Sequence, residues 1–89
     1  MFYVYLIISK KKQKFKTYVG YTNNLKQRVF KHNTNKGAKS TKGRQWKLIY
    51  KKKFSQKKLA LKYEYFFKKN RILRNIIKNK YVNKTRSNS

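Results

Sequence analysis

Only one residue in this chain carries an acidic side chain, and it sits among lysines and aromatic rings. Glu64 is flanked by Lys62, Tyr63, Tyr65, Phe66, Phe67 and Lys68. Two readings compete for it. Most helical glutamates make a surface ion pair of small worth. The other reading is a divalent cation: Mg²⁺ beside phosphates needs only one or two carboxylates, with water and substrate oxygens completing its shell. Arg28 and His32 lie four residues apart, so on a helix they share a face. Arginine matches phosphate with parallel N–H donors and can neutralise the extra charge of a pentavalent transition state. Histidine can bond phosphate or orient a nucleophile. On an exposed helix face both would simply be solvated. Tyr5, Tyr18 and Tyr21 fall in strand-like segments, where packing is the ordinary reason for a tyrosine. A phenol titrates near ~10, and a strongly cationic pocket lowers that value, which suits a proton acceptor. Lys36, Lys39, Lys42 and Arg44 stud a loop that also holds Gly37 and Gly43. That loop lacks Walker spacing, so it is a generic strip for phosphate backbone rather than a nucleotide cradle.

The elements that must position these groups follow from pattern. Residues 2–9 are aromatic and β-branched, with Leu6 added, and read as a strand buried on both faces. Residues 10–14 form a polar turn, and residues 15–21 a second, antiparallel strand. Tyr5 and Tyr18 are expected side by side in this hairpin. Gly20 marks a place where the backbone approaches something closely. Thr22, Asn23 and Asn24 are N-cap types, so a helix runs to about Asn33, with Leu25 and Val29 on one face. Residues 33–43 are a loop and 46–54 a third strand. Ser55 is a candidate cap for a helix over 56–69, with Leu59, Tyr63 and Phe66 on its apolar face. A weaker helix over 71–80 offers Ile72, Ile76 and Ile77 for docking. Residues 81–89 read as a basic, disordered tail. The class is α+β: one domain over residues 1–80, with a small antiparallel three-stranded sheet flanked by helices. The order is strand, strand, helix, strand, helix, helix.

Charge dominates the composition. Lys and Arg number 27 against 1 acid, a net charge of +26 in 89 residues. Such a cation gains by meeting a polyanion, so nucleic acid is the first expected partner and an anionic membrane the second. AT-rich codon drift explains the excess of Lys over Arg but not the missing carboxylates. There is no cysteine, which excludes disulfides, zinc fingers and thiol nucleophiles. The apolar run Phe2–Ile8 is far shorter than the ~20 residues that span a bilayer. It also lacks a basic leader, so a cytoplasmic protein is expected.

These residues together resemble a known family. Tyr3-Val4-Tyr5 followed by Tyr18-Val19-Gly20 is similar to the paired motifs of the GIY-YIG nuclease superfamily. The stretch from Tyr18 to Arg28, then His32-Asn33, resembles its second motif. Gly37 to Gly43 leading into Trp46-Lys47-Leu48-Ile49-Tyr50 resembles the small stand-alone bacterial branch. Ala60-Leu61-Lys62-Tyr63-Glu64 looks like the helix bearing the metal ligand. The first triplet departs from the pattern, with Tyr3 where a Gly is usual.

The resemblance implies an endonuclease acting on DNA in preference to RNA, with DNA repair or processing as one use of such domains. Glu64 would be the sole protein ligand of one Mg²⁺ or Mn²⁺. The resemblance further implies that Tyr18 takes or orients the water proton, Tyr5 hydrogen-bonds in the same site, Arg28 neutralises the phosphate and His32 helps position it. An Asn often follows the metal-binding helix in this family, and Asn70, Asn75 and Asn79 are the candidates. No small-molecule cofactor, no membrane and a monomer are expected, with targeting left to the domain, its tail or a protein partner. The alternative is a basic nucleic-acid-binding protein without catalysis, either a decayed nuclease or a ribosome-associated factor.

Overall fold

The first strand, β1 (Phe2–Lys11), lies at the centre of the sheet, which is why Val4 through Ser9 are all buried. The computed structural model describes residues 1–87. β2 (Lys14–Thr22) and β3 (Lys47–Phe54) pair antiparallel to the two sides of β1, in the order β2-β1-β3. The β1–β2 turn is tighter than the five residues expected. Lys12 and Gln13 alone make it, at φ of 51° and 68°. Two left-handed residues give the hairpin turn whose twist matches that of the strands.

The register sets Tyr5 opposite Gly20 and Ile7 opposite Tyr18. The two tyrosines are therefore diagonal neighbours on one face, side by side as expected. A register shift between Leu6 and Ile7 adjusts the pairing with β3.

Helices cover both faces. On one side α1 (Leu25–Asn33) lays Leu25 and Val29 against Tyr5, Ile7 and Trp46. Asn24 starts this helix, its Oδ1 accepting from the Gln27 amide at 3.1 Å. On the other side α2 (Lys57–Lys69) and α3 (Arg71–Ser87) pack on Val4, Leu6 and Val19. Asn70 caps α3 through the Leu73 amide at 3.0 Å. α2 has no side-chain cap: Gln56, not Ser55, occupies the cap position.

Three expectations need correction here. The buried stripe of α2 is Ala60, Tyr63 and Phe67, whereas Leu59 and Phe66 are half exposed. The small Ala60 lets the helix axis approach the sheet, and Phe67 then fills the space beside it. Full burial of such a side chain contributes about 1.5–3 kcal/mol. On α3, Leu73 and Ile77 dock, while Ile72 and Ile76 point outward. Finally, α3 continues past residue 80 to Ser87. Tyr81 and Val82 carry its apolar face onward, half buried beside a cavity that Ile8 and Phe15 also line. The remainder of the expected tail, residues 88–89, lies outside the described residues.

Candidate active site

Tyr5 is the hub of the site. Its ring lies across the backbone of Gly20, where any Cβ would overlap the phenol. The close approach expected at Gly20 is therefore an approach by Tyr5. Over the same face, the last turn of α1 delivers His32, which is completely buried. His32 Nε2 lies 2.7 Å from the Tyr5 hydroxyl, and Nδ1 lies 3.0 Å from Thr41 Oγ1. The Thr41 hydroxyl donates to the Ala38 carbonyl at 2.8 Å.

That last bond fixes the direction of the others. A carbonyl only accepts, so the single hydroxyl proton of Thr41 is committed to it. Thr41 must then accept from His32, which places the imidazole proton on Nδ1. In the neutral ring Nε2 is bare and accepts from Tyr5 O–H. The Tyr5 oxygen in turn accepts a longer bond, 3.4 Å, from Arg28 Nε. The chain of donors runs one way, from Arg28 through Tyr5, His32 and Thr41 to Ala38.

The titration behaviour agrees. Burial, helped by the Arg28 charge, lowers His32 from 6.5 to about 4, so the ring is neutral at physiological pH. Burial also pushes the Tyr5 phenol up to about 12. The hydrogen bond and charge of Arg28 oppose that rise, and the nearby Tyr18 and Glu64 add to it. The expectation that the cationic setting would lower a catalytic tyrosine fails at Tyr5, because desolvation outweighs Arg28.

Exposure separates two roles. Tyr5 and His32 have no accessible surface, so an incoming phosphate cannot touch them. Tyr18 and Arg28 are partly exposed, and the Glu64 side chain retains 19% exposure. The Tyr18 ring also stands edge-on to His32, with centroids 5.1 Å apart. Glu64 Oε2 pairs with Lys68 Nζ at 3.4 Å, one helical turn away. The surface ion pair weighed for Glu64 is thus present.

The donor set suits one hard cation held loosely. Glu64 offers two carboxylate oxygens, with Lys68 paired at Oε2. Among the described residues no cluster of three metal-ligating side chains exists. A single carboxylate fits Mg²⁺, which keeps several waters and takes its remaining oxygens from substrate.

The basic loop is braced rather than free. Lys36, Lys39 and Lys42 are exposed, but Arg44 Nε donates to Ser9 Oγ at 3.2 Å. Lys16 Nζ donates to the Ser40 carbonyl at 2.9 Å. Asn33 bridges to both backbone polar groups of Trp46, and the Trp46 indole donates to the Thr41 carbonyl at 2.9 Å. Of the three asparagine candidates, Asn70 is engaged in capping α3, and Asn75 and Asn79 lie exposed along that helix.

Several contributors have no clear signal in the sequence. Thr41 is one hydroxyl within a Lys- and Gly-rich loop. Lys31 and Lys57 join Arg28, Gln27 and Tyr21 around an open polar cleft, but only folding brings the start of α2 beside α1. At Gly37 the glycine itself is the signal, since a Cβ there would overlap His32 Nδ1.

A family model described as the GIY-YIG catalytic domain matches residues 1–81. The chain is 53% identical over 53 residues to UPF0213 protein YazA of Bacillus subtilis, covering 58% of this chain and 54% of that protein. It is 43% identical over 67 residues to UPF0213 protein OB0043 of Oceanobacillus iheyensis, with 74% of each chain covered. UPF0213 protein CPE1444 of Clostridium perfringens is 43% identical over 70 residues, covering 78% of this chain and 72% of its own length. The match thus spans about half the length of YazA and nearly three quarters of the other two. No solved structure gives a significant match. Among the described residues, no helix is long and apolar enough to cross a membrane.

Proposed function

Since the chain belongs to the GIY-YIG catalytic domain family, we propose that it is a divalent-metal-dependent endonuclease that hydrolyses phosphodiester bonds in nucleic acid, DNA in preference to RNA. The observation that supports this most is the meeting of four groups. Arg28 Nε bonds to the buried Tyr5 phenol, the Tyr18 ring stands edge-on to the His32 that holds it, and Glu64 lies near enough to push that phenol up, while Tyr18, Arg28 and Glu64 all remain accessible. Those three side chains suit the three tasks of phosphodiester hydrolysis.

Tyr18 orients the attacking water and, as phenolate, accepts its proton while the new P–O bond forms and the bond from phosphorus to the leaving oxygen breaks. Arg28 directs guanidinium donors at the charge that grows on the non-bridging oxygens. Glu64 would hold one Mg²⁺ or Mn²⁺ together with water and phosphate oxygens. When bound, that ion supplies Lewis-acid stabilisation of the phosphate and of the leaving oxygen. Tyr5 and His32 are positioning residues. Tyr5 accepts from Arg28 Nε, which leaves the outer guanidinium nitrogens for substrate, and His32 holds Tyr5. Lys36, Lys39 and Lys42 meet the backbone beyond the cleavage point, and Arg44 fixes their loop. This is the family's chemistry laid on the residues of this chain.

A second reading, binding without cleavage, is favoured by the Glu64–Lys68 pair, because Lys68 competes with a cation for the same carboxylate. One experiment separates the two. Labelled single-stranded, duplex and branched DNA, and RNA, are incubated with the protein in Mg²⁺ or EDTA. Cleavage of at least one substrate, abolished by EDTA, is the expected result. Tight binding to all of them with no cleavage in either condition would establish the second reading.

A further inference from the structure

The His32 ring connects two parts of the molecule that the sequence treats separately. Its Nε2 faces the sheet and Tyr5, and its Nδ1 faces the basic loop and Thr41. One assignment satisfies every polar atom in this line. The Ala38 carbonyl accepts from Thr41, Thr41 accepts from His32 Nδ1–H, and His32 Nε2 accepts from Tyr5 O–H. Thr41 is completely buried. It is not a surface hydroxyl that water could replace.

We propose that Thr41 is a positioning residue of the active site, locking the His32 imidazole in its Nδ1–H form and so directing the Tyr5 hydroxyl. With its proton spent on His32, the Tyr5 oxygen presents lone pairs to Arg28. If the imidazole proton moved to Nε2, His32 would donate to Tyr5. The Tyr5 proton would then have no acceptor among its hydrogen-bond partners, because the guanidinium of Arg28 has only donors. A buried donor would be stranded or the Tyr5–Arg28 hydrogen bond displaced, and the orientation of the arginine would be disturbed with it.

The surroundings fit this role. Gly37 leaves the space that Nδ1 needs, since a Cβ there would also come within 3.0 Å of His32 Cα. The Trp46 indole holds the Thr41 carbonyl, so the hydroxyl is pinned from its own backbone. Lys39 and Lys42, both exposed, flank Thr41 on either side. The loop that meets phosphate backbone is therefore the loop that sets the proton direction in the site.

The lock itself depends only on the hydrogen bonds. Its effect on cleavage rests on the endonuclease reading above. The chain has 1 His, so nitrogen-15 spectra of the whole protein contain a single imidazole. Wild type, Thr41→Val and Thr41→Ser are compared. Valine keeps the shape and removes the acceptor, whereas serine keeps the hydroxyl. The wild-type ring is expected to be Nδ1–H and neutral at pH 7. Thr41→Val should move the proton toward Nε2, and Thr41→Ser should restore Nδ1–H. Where cleavage is measurable, Thr41→Val should lower kcat by about ten- to a hundredfold, since a misplacement of about 1 Å caused far from the chemistry costs up to about a hundredfold. KM should change little, and serine should recover most of the rate.

An Nε2–H ring in the wild type would overturn the proposal. So would a Thr41→Val protein whose ring is still Nδ1–H. If Thr41→Val does not fold, an Nε2–H ring in wild type or in Thr41→Ser is still decisive against it. Absence of cleavage by wild type would contradict the endonuclease reading alone, because the spectra would still report the lock.

Discussion

Tyr5 and His32 illustrate how burial changes what a residue type means. Both are residue types suited to chemistry at a phosphate, yet neither reaches solvent, so each acts through a neighbour. The residue types were legible in the sequence, as was the burial of the strand that carries Tyr5, but the depth of His32 was not. Depth depends on α1 and the basic loop closing over β1, and no local pattern encodes that. His32 leads to a pH prediction with a definite sign. Its pKa is 6.5 in the unfolded chain and about 4 when folded, so between those values only the unfolded chain binds the proton. Stability is therefore full above pH 6.5 and falls as pH drops toward 4, by about 3 kcal/mol in all. Acid unfolding normally mixes many carboxylates, but this chain has 1 acidic side chain, so His32 should dominate that limb. Urea midpoints measured from pH 7.5 to 4 should show the fall, and His32→Gln should flatten it. Gly20→Ala gives a second residue-scale prediction. The new methyl overlaps the Tyr5 ring and should cost about 1–3 kcal/mol, typical of overpacking, with cleavage reduced because Tyr5 is displaced. Thermal denaturation and the rate should fall together.

Element identity was far easier to read than element orientation. The strands, the α-helices and their order were visible in periodicity, because runs such as residues 2–9 and caps such as Asn24 are local signals, whereas the short 3-10 helix Lys39–Thr41 lies where only a loop was expected. The rotation of α2 was not visible. Leu59 and Phe66 are as hydrophobic as the residues that are buried, and the choice of Ala60 and Phe67 was made by the shape of the sheet beneath. α3 likewise outran its expected end, because Tyr81 and Val82 extend its apolar side after a polar stretch that reads as a stop. The rotation of α2 matters for function, since Ala60 stands one turn before Glu64 on the same helix. Ala60→Leu should lift α2 from the sheet, cost about 1–3 kcal/mol, and slow cleavage while leaving nucleic-acid affinity nearly intact. Equal losses of affinity and rate would show that α2 contributes to binding rather than to placement of Glu64.

At the scale of the whole molecule, a charge of +26 has one side-chain carboxylate to meet it, that of Glu64, which pairs with Lys68. Such self-repulsion is relieved by a polyanion, whose condensed counterions are released on binding. Affinity for DNA should therefore fall steeply with salt. Replacing Lys36, Lys39 and Lys42 together by alanine should flatten the log–log slope by roughly 0.9 for each phosphate no longer neutralised. Fluorescence titrations at several salt concentrations would measure this, and an unchanged slope would remove the loop from the interface. Neither affinity nor charge, however, distinguishes a nuclease from a binder, and Glu64 does. The most direct measurement is single-turnover cleavage by wild type and by Glu64→Gln, with binding followed in the same samples. Glutamine keeps the size and removes the charge, so it should bind DNA at least as tightly. It should cleave at least about 100-fold more slowly, the scale of losing a main electrostatic stabiliser. Cleavage by Glu64→Gln at the wild-type rate, with the same Mg²⁺ dependence, would contradict the assignment of Glu64 as the metal ligand of an endonuclease.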